Sequence, residues 1–284
     1  HLRHKDIVGG GPAPDHNYTT GLALMYWITG EVRYKEAALE LAENIVQLIY
    51  GPDTLSEHGY LFLKQGLKRL KAAPKLGNPA FEQVYGLLDG PGRASGNGLN
   101  TLLDAYLLTQ ERKYIDLAEY LIQCCVSLED DLEKMDLLNA ELRWMYTVFF
   151  KSLGRYLIIK EADKELDEMY NFGQAVFLYY GLWMLENEYP YLDKPEILEY
   201  PNETWAAQEL RKSDILALAG KLVSGELRNS FMQKSFFFFK IGIEYLQRFE
   251  NMTLTRPLVL LMTNGMEHMR LYKQWQNGLL PNEG

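Results

Sequence analysis

Apolar residues recur at helical spacing along almost the whole chain, and this periodicity constrains the fold more than any other feature. Alternating polar and apolar residues, which are typical of half-buried strands, are nearly absent. We therefore predict an all-α fold, with helices over residues 21–49 (two helices, broken at 29–30), 99–108, 114–126, 141–159, 166–185, 204–222, 230–249 and 257–275.

A short repeat recurs between successive helices, at residues 29–34, 109–114 and 224–229. Its copies are unevenly spaced, and long loops are expected at 51–97 and 188–203. This irregularity disfavours a solenoid of evenly spaced repeats. It favours a closed α/α toroid of six-hairpin type whose loops form a cleft. The periodicity predicts fewer helices than six hairpins require. We therefore predict a single, incomplete toroid domain over residues 1–284.

Composition limits the possible partners. The 284 residues include 38 acidic and 29 basic ones, and the formal net charge is -9. Without a Lys/Arg stripe, this charge argues against nucleic acid. Apolar runs such as residues 236–239 are far short of the roughly 20 residues that span a membrane. The two cysteines, Cys124 and Cys125, are adjacent and do not indicate a disulfide framework.

The chain begins with His1 and not Met. We therefore expect it to be part of a longer protein, and we infer no compartment from the missing targeting signal. Its five histidines show no metal-ligand spacing, and no nucleotide or phosphate motif is present. We predict neither a metal nor a cofactor.

The densest polar stretch precedes the first predicted helix. Three glycines and two prolines in residues 9–14 force a rigid, non-helical path. The next side chains therefore lie at a helix N-terminus, where free N–H groups favour an anionic ligand. We predict an acid/base site with His16 and Tyr18 as catalytic groups and Asp15 and Asn17 as binding groups. Alternatively, Asp15 or Thr19 simply caps the helix.

A second polar cluster occupies residues 200–212. Thr204, Gln208 and Arg211 lie at i, i+4 and i+7 on a stripe that is otherwise apolar, which predicts a pocket wall. An equally weighted alternative is a buried hydrogen-bond network between two hairpins. In this cluster we assign Arg211 a catalytic role and predict that substrate contacts Tyr200, Glu203, Trp205 and Gln208.

Arginines elsewhere offer further anion contacts. Residues 91–98 predict a turn that places Arg93 and Asn97 before a helix, and Arg93 could neutralise a substrate carboxylate. A plain surface turn is the alternative. Glu141 and Arg143 open the most apolar predicted helix, so one of them could point into the toroid funnel, or the two could form a buried bridge. We include Arg143 among the substrate-binding residues.

Several segments together resemble a known family. Residues 15–22 (DHNYTTGL), 141–144 (ELRW), 185–192 (LENEYPYL) and 203–212 (ETWAAQELRK) are similar to the C-terminal α/α toroid of the exo-rhamnogalacturonan lyases, which include the bacterial YetA-like proteins. The resemblance extends from Arg3 to about Leu222. It implies a pectic rhamnogalacturonan substrate, cleavage by β-elimination, and N-terminal β-rich domains of the same protein as partners.

That reaction requires three kinds of group. A base removes the C5 proton of galacturonate, a cation neutralises the adjacent carboxylate, and an acid protonates the leaving oxygen at C4. We expect His16 or Tyr18 to act as base or acid, and Arg93 or Arg211 to neutralise the carboxylate. Tyr200 and Trp205 would hold sugar rings.

Two alternatives stay open. A six-hairpin glycoside hydrolase would pair Asp15 with Glu203 or Glu141 across the scissile bond. A non-catalytic toroid would bind or scaffold a glycan without turnover.

Overall fold

The computed structural model describes residues 13–50, 87–250 and 254–265, together with residue 273. Every regular element within these ranges is helical, which confirms the predicted all-α class. The chain divides into two compact units, His1–Val126 and Ser127–Gly284. The closed toroid and the single domain stay predictions. Among the described residues, no helix is both long and apolar enough to cross a membrane.

The first unit is organised around one buried helix. Thirteen of the 17 residues of this helix, α3 (Arg93–Thr109), are buried, and it packs against the other described elements of the unit. These elements are a 3-10 turn (Pro14–His16), α1 (Thr20–Thr29), α2 (Val32–Tyr50), α3 (Arg93–Thr109) and α4 (Arg112–Cys125).

The predicted repeat forms the connections between helices. Gly30 and Gln110 end α1 and α3 in left-handed conformations, with φ values of 72° and 62°. Each donates its N–H to the carbonyl of a tyrosine four residues earlier, Tyr26 and Tyr106 respectively. Left-handed backbone favours glycine, so Gln110 carries steric strain that Gly30 does not. The third copy, at 224–229, differs, because only Ser224 lies between two helices and residues 225–229 begin α9 (Gly225–Leu246).

Arg93 and Asn97 lie within α3, so the predicted turn before a helix is wrong in its boundary. The helix begins at Arg93 because the backbone N–H of Gly92 donates to Ser95 Oγ over 2.8 Å. This capping contact compensates for the low helix propensity of the glycines that follow. Arg93 therefore occupies the first helical turn, and Asn97 lies about one turn later.

The second unit is organised around α8 (Glu203–Lys221), which packs against α6 (Tyr146–Ala162), α7 (Glu168–Asn187), α9 (Gly225–Leu246) and α10 (Thr255–Leu260). Its elements are α5 (Ala140–Arg143), α6 (Tyr146–Ala162), α7 (Glu168–Asn187), 3-10 turns at Tyr191–Asp193 and Pro195–Ile197, α8 (Glu203–Lys221), α9 (Gly225–Leu246), α10 (Thr255–Leu260) and a π-helical turn (Leu261–Gly265).

The predicted continuous helix over 141–159 is instead broken at Trp144 and Met145. The Thr147 hydroxyl donates to the Trp144 carbonyl over 2.7 Å, and the backbone bonds there tighten to i→i-3 spacing. Such a local bond competes with the regular helical ladder. Most of the predicted loop at 51–97 and the end of the predicted helix at 257–275 lie outside the described residues.

Candidate functional sites

In the first unit, Arg93 brings together two of the predicted catalytic groups. Its Nη2 atom donates to Tyr18 Oη over 2.8 Å and lies 3.1 Å from His16 Nδ1. These residues are 75 and 77 positions away from Arg93 in the sequence. The phenol of Tyr18 is 61% exposed, so the cluster is open to a ligand from solution. We call His16, Tyr18 and Arg93 the Arg93 cluster.

The contacts of His16 indicate how its neutral imidazole is oriented. A guanidinium can only donate, so His16 Nδ1 accepts from Arg93 and presents a lone pair there. The proton of the neutral ring is then on Nε2, which lies 3.3 Å from Asp15 Oδ2. Asp15 thus supports the tautomer in which Nδ1 is the basic atom.

Hydrogen bonds with α3, buried or partly buried, fix the segment that carries His16 and Tyr18. Asn97 Nδ2 donates to the Asp15 carbonyl over 2.8 Å. The hydroxyls of Thr19 and Thr20 donate to Asp104 Oδ2 over 2.5 and 3.0 Å. The helix that carries Arg93 therefore also positions the backbone on either side of the two acid/base groups.

The capping alternative for this segment is only partly realised. Thr19 occupies the N-cap position of α1, but its side chain makes no capping bond and binds Asp104 instead. Asn17, predicted to bind substrate, is 4% exposed, and its Nδ2 has no hydrogen-bond partner among the described residues.

In the second unit, the start of α8 borders a cleft of about 230 Å³. Two of the three residues of the predicted pocket wall, Thr204 and Gln208, line it, and Arg211 does not. The predicted substrate contacts Trp205 and Tyr200 line it as well. The remaining lining residues are Glu141, Trp144, Asn202 and Arg256.

Aromatic contacts hold the cleft wall in place. The Trp144 and Trp205 rings meet edge to face, with centroids 6.3 Å apart and planes at 83°. Trp205 also packs against Tyr191 with centroids 5.7 Å apart, and its Nε1 donates to the Tyr200 carbonyl over 3.0 Å. The indole of Trp205 is therefore oriented before any ligand arrives.

Arg211 lies behind this wall, among protein partners. Its Nη1 donates to Gln208 Oε1 and lies 3.5 Å from Thr147 Oγ1, and its guanidinium lies over Trp144 at 5.7 Å. The bond to Thr147 links α8 to α6, so a hydrogen-bond network and a pocket wall coexist here. Glu203 is buried and Arg143 is half-buried, and neither lines the cleft.

A buried charge cluster, which sequence reasoning missed, lies beneath the same helix. Lys212 is fully buried, with its Nζ 2.8 Å from Glu188 Oε2 and 3.1 Å from Glu209 Oε2. It also donates to the Tyr189 carbonyl over 2.6 Å and lies 3.2 Å from the ring centroid of Tyr191. Burial raises the pKa of Glu209 to about 7, because removal from water disfavours its charged form.

Some of the sequence signals for the missed residues were visible. Glu209 and Lys212 are three residues apart on one helix, a spacing at which opposite charges meet. Arg256 carried no such signal, because its approach to the cleft depends on how α10 packs against α8.

Predicted site residues thus lie in both units, at the Arg93 cluster and at the cleft beside α8. Within the described ranges, no group of three or more His, Cys, Asp or Glu side chains is arranged to hold a metal ion. Comparisons with known protein families, with curated proteins and with solved structures find no match.

Proposed function

We propose that this protein cleaves an acidic polysaccharide by β-elimination and that the Arg93 cluster is the reacting site. One observation carries the proposal. Nη2 of Arg93 is within hydrogen-bond reach of both His16 Nδ1 and Tyr18 Oη. A basic nitrogen and a hydroxyl, each about 3 Å from the same cation, are the groups that this reaction needs.

Arg93, the cation, would make the weakly acidic substrate proton easier to remove. In a uronate ring, C5 bears a hydrogen next to the carboxylate, and negative charge on that carboxylate opposes proton loss. Both hydrogen bonds of Arg93 described above use Nη2, so a carboxylate would bind through Nη1. A guanidinium there would stabilise the charge that develops as the proton leaves.

The two other groups divide the proton transfers. His16 Nδ1 would take the C5 proton once substrate binding draws Arg93 Nη2 away from its lone pair. The C5–H electron pair would become the C4=C5 double bond. The C4–O bond then breaks with its electrons on oxygen, and Tyr18 would supply that oxygen with a proton. One proton is taken and one is given, so the elimination balances.

The resemblance to exo-rhamnogalacturonan lyases supports rhamnogalacturonan as the polymer and an α/α toroid as the complete fold. It also supports N-terminal β-rich domains as partners in the full-length protein. The net charge of -9 disfavours long-range attraction of an acidic chain. Recognition would therefore rest on local contacts such as those of Arg93.

The test is to incubate the full-length protein with saturated rhamnogalacturonan and to follow near-UV absorbance, which rises when a conjugated C=C bond forms. The same polymer with its carboxyl groups reduced to alcohols is the matched control. We expect absorbance to rise with the acidic polymer only. New reducing ends without absorbance would instead support the paired-carboxylate hydrolase, and binding without any product would support a non-catalytic glycan-binding protein.

A further inference from the structure

The cleft at the start of α8 has the chemistry of a separate ligand site. Its volume of about 230 Å³ is below the roughly 300 Å³ at which pockets for drug-sized ligands begin, so it suits a single ring. Aromatic surfaces of Trp144, Trp205 and Tyr200 border it. Tyr200 is 70% exposed, so its ring can contact a ligand directly from solution.

The charges that line the cleft are balanced. Glu141 contributes a carboxylate and Arg256 a guanidinium, and neither charge is in excess. Glu141 Oε2 accepts the backbone N–H of Glu199 over 3.0 Å, which orients the group and leaves Oε1 as an acceptor. A strongly anionic or cationic ligand would meet one favourable and one unfavourable partner.

A buried amide completes the polar lining. Gln208 is only 2% exposed although it borders the cleft. Its Oε1 accepts from Arg211, so the orientation of the amide is set and the Nε2 donors remain for a ligand. Because this donor is fixed before binding, little side-chain entropy is lost when a ligand hydroxyl accepts from it.

We propose that this cleft binds one neutral pyranose ring. A pyranose has apolar C–H faces that pack on aromatic rings, and it has vicinal hydroxyls that both donate and accept. The lining offers both kinds of partner: a carboxylate that accepts, and a guanidinium and an amide that donate. The inference rests on the second unit alone and requires no turnover at the Arg93 cluster.

The probes are methyl rhamnopyranoside and methyl galactopyranoside, titrated into the full chain while ligand NMR signals and tryptophan fluorescence are followed. Galacturonate is the charged comparison. We expect both neutral glycosides to saturate and to bind more tightly than galacturonate. No saturable binding of either glycoside, or tighter binding of galacturonate, would overturn the proposal.

Substitutions then assign the binding to the cleft. We expect Tyr200→Ala to weaken it by roughly fivefold, as the loss of one aromatic contact implies, and Tyr200→Phe to retain it. Arg256→Gln should weaken it similarly, whereas Arg248→Gln, at an exposed arginine that does not line the cleft, should not. Binding that is indifferent to both Tyr200→Ala and Arg256→Gln would also contradict the assignment.

Discussion

Arg93 donates a hydrogen bond to the phenolic oxygen of Tyr18 over 2.8 Å, across 75 residues of sequence. Both side chains are accessible to solvent, and the same Arg93 nitrogen contacts His16. An exposed contact of this kind adds little to folding free energy, since water competes for both groups.

A double-mutant cycle should show that weak contribution. We expect the coupling between Arg93→Gln and Tyr18→Phe in the free energy of unfolding to be below about 1 kcal/mol. Urea denaturation of the wild type, both single variants and the double variant provides the measurement. A coupling well above that value would mean that the contact serves stability and not ligand chemistry.

Asp104 should matter far more for stability than the exposed cluster that it positions. Its carboxylate is buried and accepts hydrogen bonds from Thr19 and Thr20. Asp104→Asn keeps the shape but replaces one acceptor oxygen with a donor, so we expect a loss of about 2 kcal/mol in urea denaturation. Asp116→Asn, at an exposed ion pair with Arg112, should cost below about 0.5 kcal/mol. Equal losses in the two variants would contradict the positioning role of Asp104.

Glu209 should make folding stability depend on pH. Its pKa is raised from 4.5 to about 7 by burial, beside the charged Lys212 and Glu188. Between these values the folded protein keeps a proton that the unfolded chain has released. The contribution of Glu209 to the free energy of unfolding is therefore fully present below pH 4.5 and is lost as pH rises towards 7, by up to about 3 kcal/mol.

The measurement is urea denaturation of the wild type and Glu209→Gln at pH 5 and pH 8. The variant keeps an oxygen that can accept from the Tyr191 N–H, which donates to Glu209 over 2.8 Å. Its stability relative to the wild type should increase with pH, because the glutamine cannot ionise. A difference that stays constant between the two pH values would refute this account.

Gly242 marks a close approach of α9 to α8. A Cβ atom added there would lie 3.1 Å from the backbone oxygen of Ala206, which cannot move as a side chain can. We expect Gly242→Ala to destabilise the fold by about 1–3 kcal/mol, the cost of overpacking. The control is Gly21→Ala, because no atom of the described residues lies within 4 Å of its added Cβ and alanine favours the helix. Thermal unfolding should show opposite signs for the two variants, and the same sign would contradict the close approach.

Local sequence patterns predicted the helices well, and tertiary contacts decided what was missed. The break after α1 was readable because Gly30 ends the helix in a conformation that glycine favours. The break at Trp144 was not readable, because it depends on a hydroxyl bond from Thr147 within an apolar run. Helical spacing likewise places Lys212 on α8. It does not indicate that Lys212 is buried together with the carboxylates of Glu188 and Glu209.

For the candidate sites, too, the sequence predicted the residue types and tertiary contacts decided which of them meet. Residue types predicted acid/base chemistry at His16 and Tyr18 and a cation at Arg93, and the structure brings these three side chains together. The substrate and the reaction stay proposals, because side-chain geometry does not identify the molecule that binds.

The most direct test of the central claim is the rate of near-UV absorbance increase on rhamnogalacturonan for the full-length protein carrying Tyr18→Phe. Its matched control is Tyr34→Phe, because the Tyr34 hydroxyl also accepts from an arginine, Arg33, over 3.2 Å, and no histidine of the described ranges contacts it. We predict that Tyr18→Phe lowers the rate by about 100-fold, the usual contribution of one general acid, and that Tyr34→Phe leaves it unchanged. An absent wild-type signal, or equal rates for the two variants, would contradict the assignment of Tyr18 to the reaction.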